Sequence, residues 1–347
     1  MLKLLITTPK YPPQPGGASY VFSLISQNLS AKLDITILTS TVNKRMEIKG
    51  KKVKTFRLFP YFEYTPIKIL FSPLTLFTVF IFFLLNSRKF DVVESHTVGE
   101  ICIFSQIFAK LFRKKLVKHI LDMSTPPFLL RHPIPDKFIN CGETITKKLK
   151  RISIPETMIK EIKLPISYRK NSTYKKKGKK IFLFVGEISQ RKGISDILCA
   201  LKSIKKQDFE LWFIGNGPLV DQLKTEAQKD TRIKYLGLLK NEKVVDLMKK
   251  TDILIHPTYA DVMPLTILEA MMMGNAVLST DIGEIKQTVG KAGIIIKPGD
   301  KKALEKSIIK LLNSNLNQMK KTAIKNFSAY SKQDVYQRNL DAVESVC

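Results

Sequence analysis

The sequence predicts an α/β chain of two domains, and three observations carry that expectation. Its 347 residues suffice for two α/β domains of roughly 150 to 170 residues each. The stretch from Asp252 to Gly283 reads as strand, loop, short helix and second strand. At the other end, Leu2 to Thr8 reads as a buried parallel strand that runs into a proline- and glycine-rich turn and then a helix over Ser19 to Lys32.

The Asp252–Gly283 stretch organises the rest. The β-branched run Ile253 to His256 stops at Pro257, and a second run, Ala276 to Ser279, follows Gly274-Asn275. Between them Pro264 suits the first helical position and Gly274 the position just past the end, so a helix is expected over Pro264 to Met273. Free N–H groups of its first turn, at Leu265 and Thr266, form the kind of helix N-terminus that binds phosphate. Glu269 lies on the same face one turn deeper, and Asp261 sits just before the helix. Two carboxylates flanking an anion site suit a ligand with hydroxyls on both sides of a phosphate group. A nucleotide sugar is such a ligand.

Asp261, seven intervening residues and Glu269, followed by Ala270-Met271, resemble the acid-x7-acid motif of the retaining glycosyltransferases of family 4. That resemblance implies the GT-B fold, two doubly wound Rossmann-like domains facing a cleft. It makes Glu269 the ribose ligand and Asp261 the sugar ligand, with the amides from Met263 and Pro264 through Leu265 and Thr266 beside the diphosphate. The family usually has Glu at the first position, so the shorter Asp261 bears on which sugar is carried. An isolated match of this kind is more often two surface acids; the matches around it reverse that weighting.

Composition narrows the partners. At 44% hydrophobic and 25% charged residues the chain is ordinary globular material. Against that, 58 Lys plus Arg and 30 Asp plus Glu give a net charge of +28, which favours anionic partners: nucleic acid, a membrane surface or a phosphorylated substrate. No zinc spacing, aromatic RNA-binding motif or basic recognition helix accompanies the charge, so nucleic acid is set aside. Cys102, Cys141, Cys199 and Cys347 are scattered without paired spacing, as free thiols of a reducing compartment are. The apolar part of the N-terminus is too short for a signal peptide, and the expected location is cytoplasmic, peripheral on the inner membrane face.

Along the first half, Pro15-Gly16-Gly17 resembles the family's early glycine loop, which implies that Gly16 and Gly17 lie near the leaving phosphate or the acceptor. Strands are expected at Ile35 to Leu38 and Lys51 to Leu58. The 17 residues Ile69 to Leu85 are almost wholly apolar and are interrupted by Pro73. A break there leaves about 12 helical residues, roughly 18 Å, too short to cross a bilayer core of about 30 Å. Two placements stay open: a helix buried under the sheet, or one dipping a face into the lipid interface between Lys68 and the Arg88-Lys89 pair.

Asp91 to His96 resembles a family strand end, with His96 either at the cleft or structural. In the next strand the family's cleft histidine aligns with Leu121. His119, two residues earlier and so on the same face, is the candidate substitute. The basic run Arg169 to Lys180 is placed as the linker between an N-terminal domain, 1–168, and a C-terminal nucleotide-sugar domain, 181–325. A final helix, within 326–347, is expected to cross back onto the first domain.

In the second half the family clamps the diphosphate with an arginine after the strand-ending glycine and a later lysine. Here Gly186 is followed by Glu187 in place of that arginine, while Lys192-Gly193 match and Arg191 stands ready to supply the missing charge. Gly215 to Gly217 resemble the family's glycine turn beside the nucleotide, and Leu238 and Leu239 are base-pocket candidates. The implied activity is transfer of a hexosyl group from a UDP- or GDP-sugar, with retention, to a glycan or lipid-linked acceptor. No cofactor or metal is expected. Lys192, Arg191, Asp261 and His119 are the expected catalytic set. A catalytically weak partner subunit of the same fold is the alternative, and a nucleotide-sugar epimerase a more distant one.

Overall fold

The computed structural model describes residues 1–12, 16–41, 54–60, 65–96, 99–123, 125–167, 178–204, 207–331 and 334–347. The chain divides into two compact units, Met1–Ser167 with Asp334–Cys347 and Tyr168–Gln333.

The first unit is a 7-stranded sheet of β1 (Lys3–Thr8), β2 (Asp34–Thr41), β3 (Lys54–Pro60), β4 (Val92–His96), β5 (Lys115–Ile120), β6 (Lys137–Asn140) and β7 (Ile159–Glu161). The order is β3-β2-β1-β4-β5-β6-β7, and every neighbouring pair is parallel. Helices α1 (Gly17–Leu29), α2 (Thr65–Asn86), α3 (Glu100–Leu111), α4 (Pro127–Arg131) and α5 (Glu143–Arg151) alternate with the strands. Strands covered on both faces read as continuous runs rather than as alternation, and β1 and β4 are buried almost throughout. The residues Lys51 to Val53 of the expected third strand, and Pro15 of the glycine loop, lie outside the described residues.

Helix α2 corrects one expectation. It runs unbroken for 22 residues with Pro73 inside it. Pro73 is on the exposed side of the helix, where water can satisfy the carbonyl left without a donor. Of the two placements left open, the buried one holds for one face of the helix. Val79, Phe82 and Phe83 are buried with Phe90, Phe108 and Leu116 in the core, while Leu74, Phe77, Leu84 and Leu85 face outward. Among the described residues no helix is long and apolar enough to cross a membrane.

The second unit is a 6-stranded sheet of β8 (Lys180–Val185), β9 (Phe209–Ile214), β10 (Ile233–Tyr235), β11 (Ile253–His256), β12 (Ala276–Thr280) and β13 (Gly293–Ile296), in the order β10-β9-β8-β11-β12-β13. Around it lie α6 (Ile194–Ser203), α7 (Val220–Lys229), α8 (Asn241–Met248), α9 (Leu265–Met272), α10 (Ile285–Val289), α11 (Lys301–Asn313) and α12 (Asn317–Ser331). Its core gathers Phe182, Phe184, Phe209 and Phe213 with the inner faces of α6 and α11. Arg169 to Lys177 of the basic run lie outside the described residues, and Lys180 already belongs to β8.

The single terminal helix expected over Phe327 to Val346 is two. Phe327 is in α12, and α13 (Val335–Glu344) starts afresh with Asp334 as its cap, the Asp334 carboxylate accepting from the Gln337 amide at 2.9 Å. Helix α13 belongs to the first unit, where Arg338 donates to the Glu161 carbonyl at 2.7 Å and Lys32 to Gln337 at 2.7 Å. In each sheet the strand order reverses once, between β1 and β4 and between β8 and β11. Ligands of open α/β sheets bind at the carboxyl ends of strands at such points.

Candidate active site

In the second unit the loops leaving β8 and β11 meet at the reversal point. The loop after β8 can pass close because Gly193 has φ +76°, and a Cβ there would lie 2.2 Å from the Pro257 carbonyl oxygen. That turn delivers Lys192, whose ammonium donates to both oxygens of Asp261 at 2.7 and 2.6 Å. Thr258 Oγ1 donates to the same carboxylate at 2.6 Å. His256, at the end of β11, places Nε2 3.5 Å from Asp261 Oδ2, longer than a hydrogen bond, and both of its buried ring nitrogens lack a hydrogen-bond partner. Its ring stacks on Phe184 at 5.6 Å between centroids.

The electrostatics follow from this packing. Burial works to raise the Asp261 pKa, but the adjoining His256 imidazole and the Lys192 ammonium outweigh it and hold the carboxyl well below the usual range. Burial pushes Lys192 down, against the pull of Asp261, and pushes His256 down in the same way. Lys192 and Asp261 are thus brought into direct contact by the fold.

Glu187, which stands where the resembling family has arginine, is turned onto Arg191. Its Oε2 accepts from Arg191 Nη2 and from Ser189 Oγ, each at 3.1 Å. Arg191 Nη1 donates to the Ala260 carbonyl at 2.8 Å, and the Arg191 carbonyl accepts from Tyr259 N–H at 2.9 Å. The guanidinium therefore lies against the loop that carries Asp261.

Helix α9 begins at Leu265, one residue later than expected. Pro264 is its cap, with extended backbone at φ −64° and ψ 126°. Gly274, at φ +77°, lies just past the end as expected. The first-turn amides of Leu265 and Thr266 precede the first intrahelical bond, which Ile267 N–H makes to the Pro264 carbonyl. Thr266 Oγ1 is buried in the same turn without a hydrogen-bond partner. One turn deeper Glu269 is 4% exposed and its Oε1 accepts from Asn241 Nδ2 at 2.8 Å. Met263 is buried beneath the helix start.

The glycine turn after β9 is equally close-packed. Gly215 has φ +143°, a Cβ there would sit 1.8 Å from the Gly186 carbonyl oxygen, and its N–H donates to the Gly237 carbonyl at 2.9 Å. The backbone of Gly217 packs against Ile188. Leu238 is 59% exposed beside that turn, and Leu239 is half-buried.

In the first unit Gly16, at φ +146°, precedes α1 and Gly17 opens it, with open space around the Gly16 Cβ position. His119 and His96 are register neighbours on β5 and β4, and Phe22 of α1 packs edge-on against both rings. His119 Nδ1 is 2.7 Å from Oε1 of Glu94, which is fully buried. Among the described residues no group of three or more His, Cys, Asp or Glu is placed to hold a metal.

Sequence reasoning passed over His256, Thr258, Asn241 and Glu94. Thr258 and Asp261, three apart in a loop after a strand, carried a local signal; Asn241 and Glu94 meet their partners only through the fold.

Residues 168–328 match the family described as Glycosyl transferases group 1. An uncharacterized glycosyltransferase of Methanocaldococcus jannaschii is 27% identical over 94% of this chain and 93% of its own length. The gpi3 subunit of the Schizosaccharomyces pombe phosphatidylinositol N-acetylglucosaminyltransferase is 21% identical over 96% of this chain and 79% of its own. Among solved structures, sucrose-phosphate synthase of Thermosynechococcus elongatus superposes with a TM-score of 0.80 at 15% identity, covering 100% of this chain and 99% of that one. Anabaena HepE in complex with UDP-glucose superposes at 0.77 and 17% identity, again covering 100% and 99%. With two parallel doubly wound sheets the chain has the GT-B fold, and its residues 168–328 match the glycosyl transferases group 1 family.

Proposed function

We propose that this chain transfers a hexosyl group from a UDP- or GDP-sugar to a hydroxyl of a lipid-linked or membrane-associated glycan, with retention of anomeric configuration, as a family 4 enzyme. The observation that carries the donor half is the start of α9, where two free amides and the buried, unpartnered Thr266 Oγ1 sit one turn above Glu269. Amides and hydroxyl suit phosphate oxygens, and the carboxylate suits a ribose diol. The HepE complexes with UDP and UDP-glucose support a uridine donor.

In the reaction the bond from the anomeric carbon to the β-phosphate oxygen breaks and a bond to the acceptor oxygen forms. The acceptor proton passes to the departing phosphate, so no carboxylate pair is required. Charge developing on the diphosphate is met by the α9 amides, by Lys192 and by Arg191. A diphosphate competes with Asp261 for the Lys192 ammonium, which couples donor binding to release of Asp261 toward the sugar hydroxyls. In the first unit, Gly16, Gly17 and His119 are assigned to the acceptor side.

Calorimetric titration of UDP, GDP and ADP into the wild type and Glu269→Ala tests the donor half. Tight binding of one nucleotide, weakened tenfold or more, about 1.4 kcal/mol, by the substitution is expected; no binding by any of the three sinks the reading. The anomeric configuration of the product, read by NMR, tests retention. A second reading, a catalytically weak partner subunit, is favoured by Glu187 and by its engagement of Arg191. Intact nucleotide binding without turnover on any hydroxyl acceptor would select it.

The membrane half rests on α2 and α3. Phe77, Leu84 and Leu85 of α2 and Ile107 and Leu111 of α3 are 60%, 54%, 69%, 45% and 64% exposed, and Arg88, Lys89 and Arg113 are exposed at the same end. An apolar stripe rimmed by cations fits an anionic lipid surface.

A further inference from the structure

We infer that Asn241 is a positioning residue that sets the Glu269 carboxylate for the ribose hydroxyls and thereby makes the site prefer ribonucleotides to 2′-deoxyribonucleotides. The inference rests on the donor-site reading above and adds to it a second residue, from a different helix, that decides which sugar of the nucleotide is accepted.

Asn241 is the first residue of α8, and its side-chain amide reaches across to α9 to donate to Glu269 Oε1 at 2.8 Å. Its own position is set by the sheet. Leu236 N–H donates to the Phe213 carbonyl at 2.9 Å, and the Gly237 carbonyl accepts from Gly215 N–H, also at 2.9 Å. The chain from β10 to α8 is therefore tied to the glycine turn proposed to face the nucleotide. Exposed Leu238, a base-pocket candidate, lies on the same short connection. Asn241 thus links the residue assigned to the ribose with the segment assigned to the base.

The chemistry of the contact also matters. Glu269 is 4% exposed, and a buried carboxylate is costly without hydrogen-bond donors. A carboxylate has about four acceptor positions. An amide on Oε1 uses one of them and helps to fix the plane of the carboxylate. Asparagine does this without a positive charge, so it orients the acid without cancelling the charge that draws hydroxyl protons. The other acid of the motif is handled differently: Asp261 is held by the Lys192 ammonium through both oxygens. A donor-oriented acid matched to a vicinal diol discriminates strongly against a sugar missing one hydroxyl, because the unmatched acceptor is left buried.

The test is calorimetric titration of UDP and 2′-deoxy-UDP, or the guanine pair if GDP is the preferred nucleotide, into the full chain and its variants. The wild type is expected to bind UDP about tenfold or more tighter than the deoxy form. In Asn241→Ala the UDP affinity should fall about fivefold while the deoxy affinity barely moves, so that the ratio collapses. Asn241→Asp sets a carboxylate against Glu269 and should weaken UDP further at pH 7.5 than at pH 5.5, where proton uptake relieves the repulsion. If both variants keep the wild-type UDP to deoxy-UDP ratio with an unchanged melting temperature, Asn241 only starts a helix and the inference is overturned. If Glu269→Ala binds UDP as well as the wild type, the donor-site reading itself is overturned and this inference with it. Loss of UDP binding in Glu269→Ala with an unaltered ratio in Asn241→Ala sinks the inference alone.

Discussion

Asp261 and Lys192 show how one contact sets both chemistry and stability. Asp261 is held below its usual range in the folded chain, so it contributes stability at pH values above the ordinary carboxylate range, and that contribution is lost as pH falls through its folded pKa. Asp261→Asn should therefore flatten the acid limb of a melting-temperature profile. In turnover, Lys192→Ala should lower kcat by about 10² to 10³ with a smaller change in nucleotide affinity, as expected for a donor aimed at transition-state charge. A fall in affinity with kcat unchanged would show that Lys192 only binds.

Lys118 makes a pH prediction of the same sign in an alkaline window. Its side chain is fully buried on β5, and its ammonium donates to the carbonyls of Leu129, Leu130 and His132 at 2.7, 3.1 and 3.2 Å. Burial, helped by the nearby Lys110, lowers its pKa from 10.5 to about 7. Between those two values the unfolded chain binds a proton that the native chain does not, so this group makes stability rise with pH over that window. Urea melts between pH 7.5 and 9.5 should show the rise in the wild type and its loss in Lys118→Met.

At the scale of elements, the approach of the β8 and β11 loops depends on a backbone that only glycine adopts cheaply. Gly193→Ala combines φ +76° with a Cβ 2.2 Å from a carbonyl oxygen. A cost of at least about 1 to 3 kcal/mol is expected from strain of this kind, with turnover impaired because Lys192 is displaced. Helix α2 shows a proline tolerated mid-helix because its ring is on the exposed side. What broke the sequence expectation there was the reading of Pro73 as the end of a helix.

At the scale of the molecule, the proposed membrane association rests on the outer face of α2 and α3. Flotation with vesicles containing phosphatidylglycerol should carry the wild type upward. The double variant Phe77→Asp with Leu84→Asp should stay in the soluble fraction with its UDP affinity intact. If the wild type fails to float, the membrane-associated acceptor loses its support while the donor site stands.

The sequence by itself determined the α/β class, the parallel strands and the α9 turn with its two acids. Those follow from local signals: β-branched runs that end at proline or glycine, and an acid spacing that puts Glu269 on the face of Leu265 and Thr266. Only the tertiary structure decided which acid meets which partner. Lys192 and Asp261 are 69 residues apart, Asn241 and Glu269 are 28 apart, and Glu94 and His119 are 25 apart; parallel strand order, which no local pattern encodes, brings each pair together. The same holds for α2, whose uniform apolarity hides which face is buried until Phe83 packs against Phe90 and Phe108.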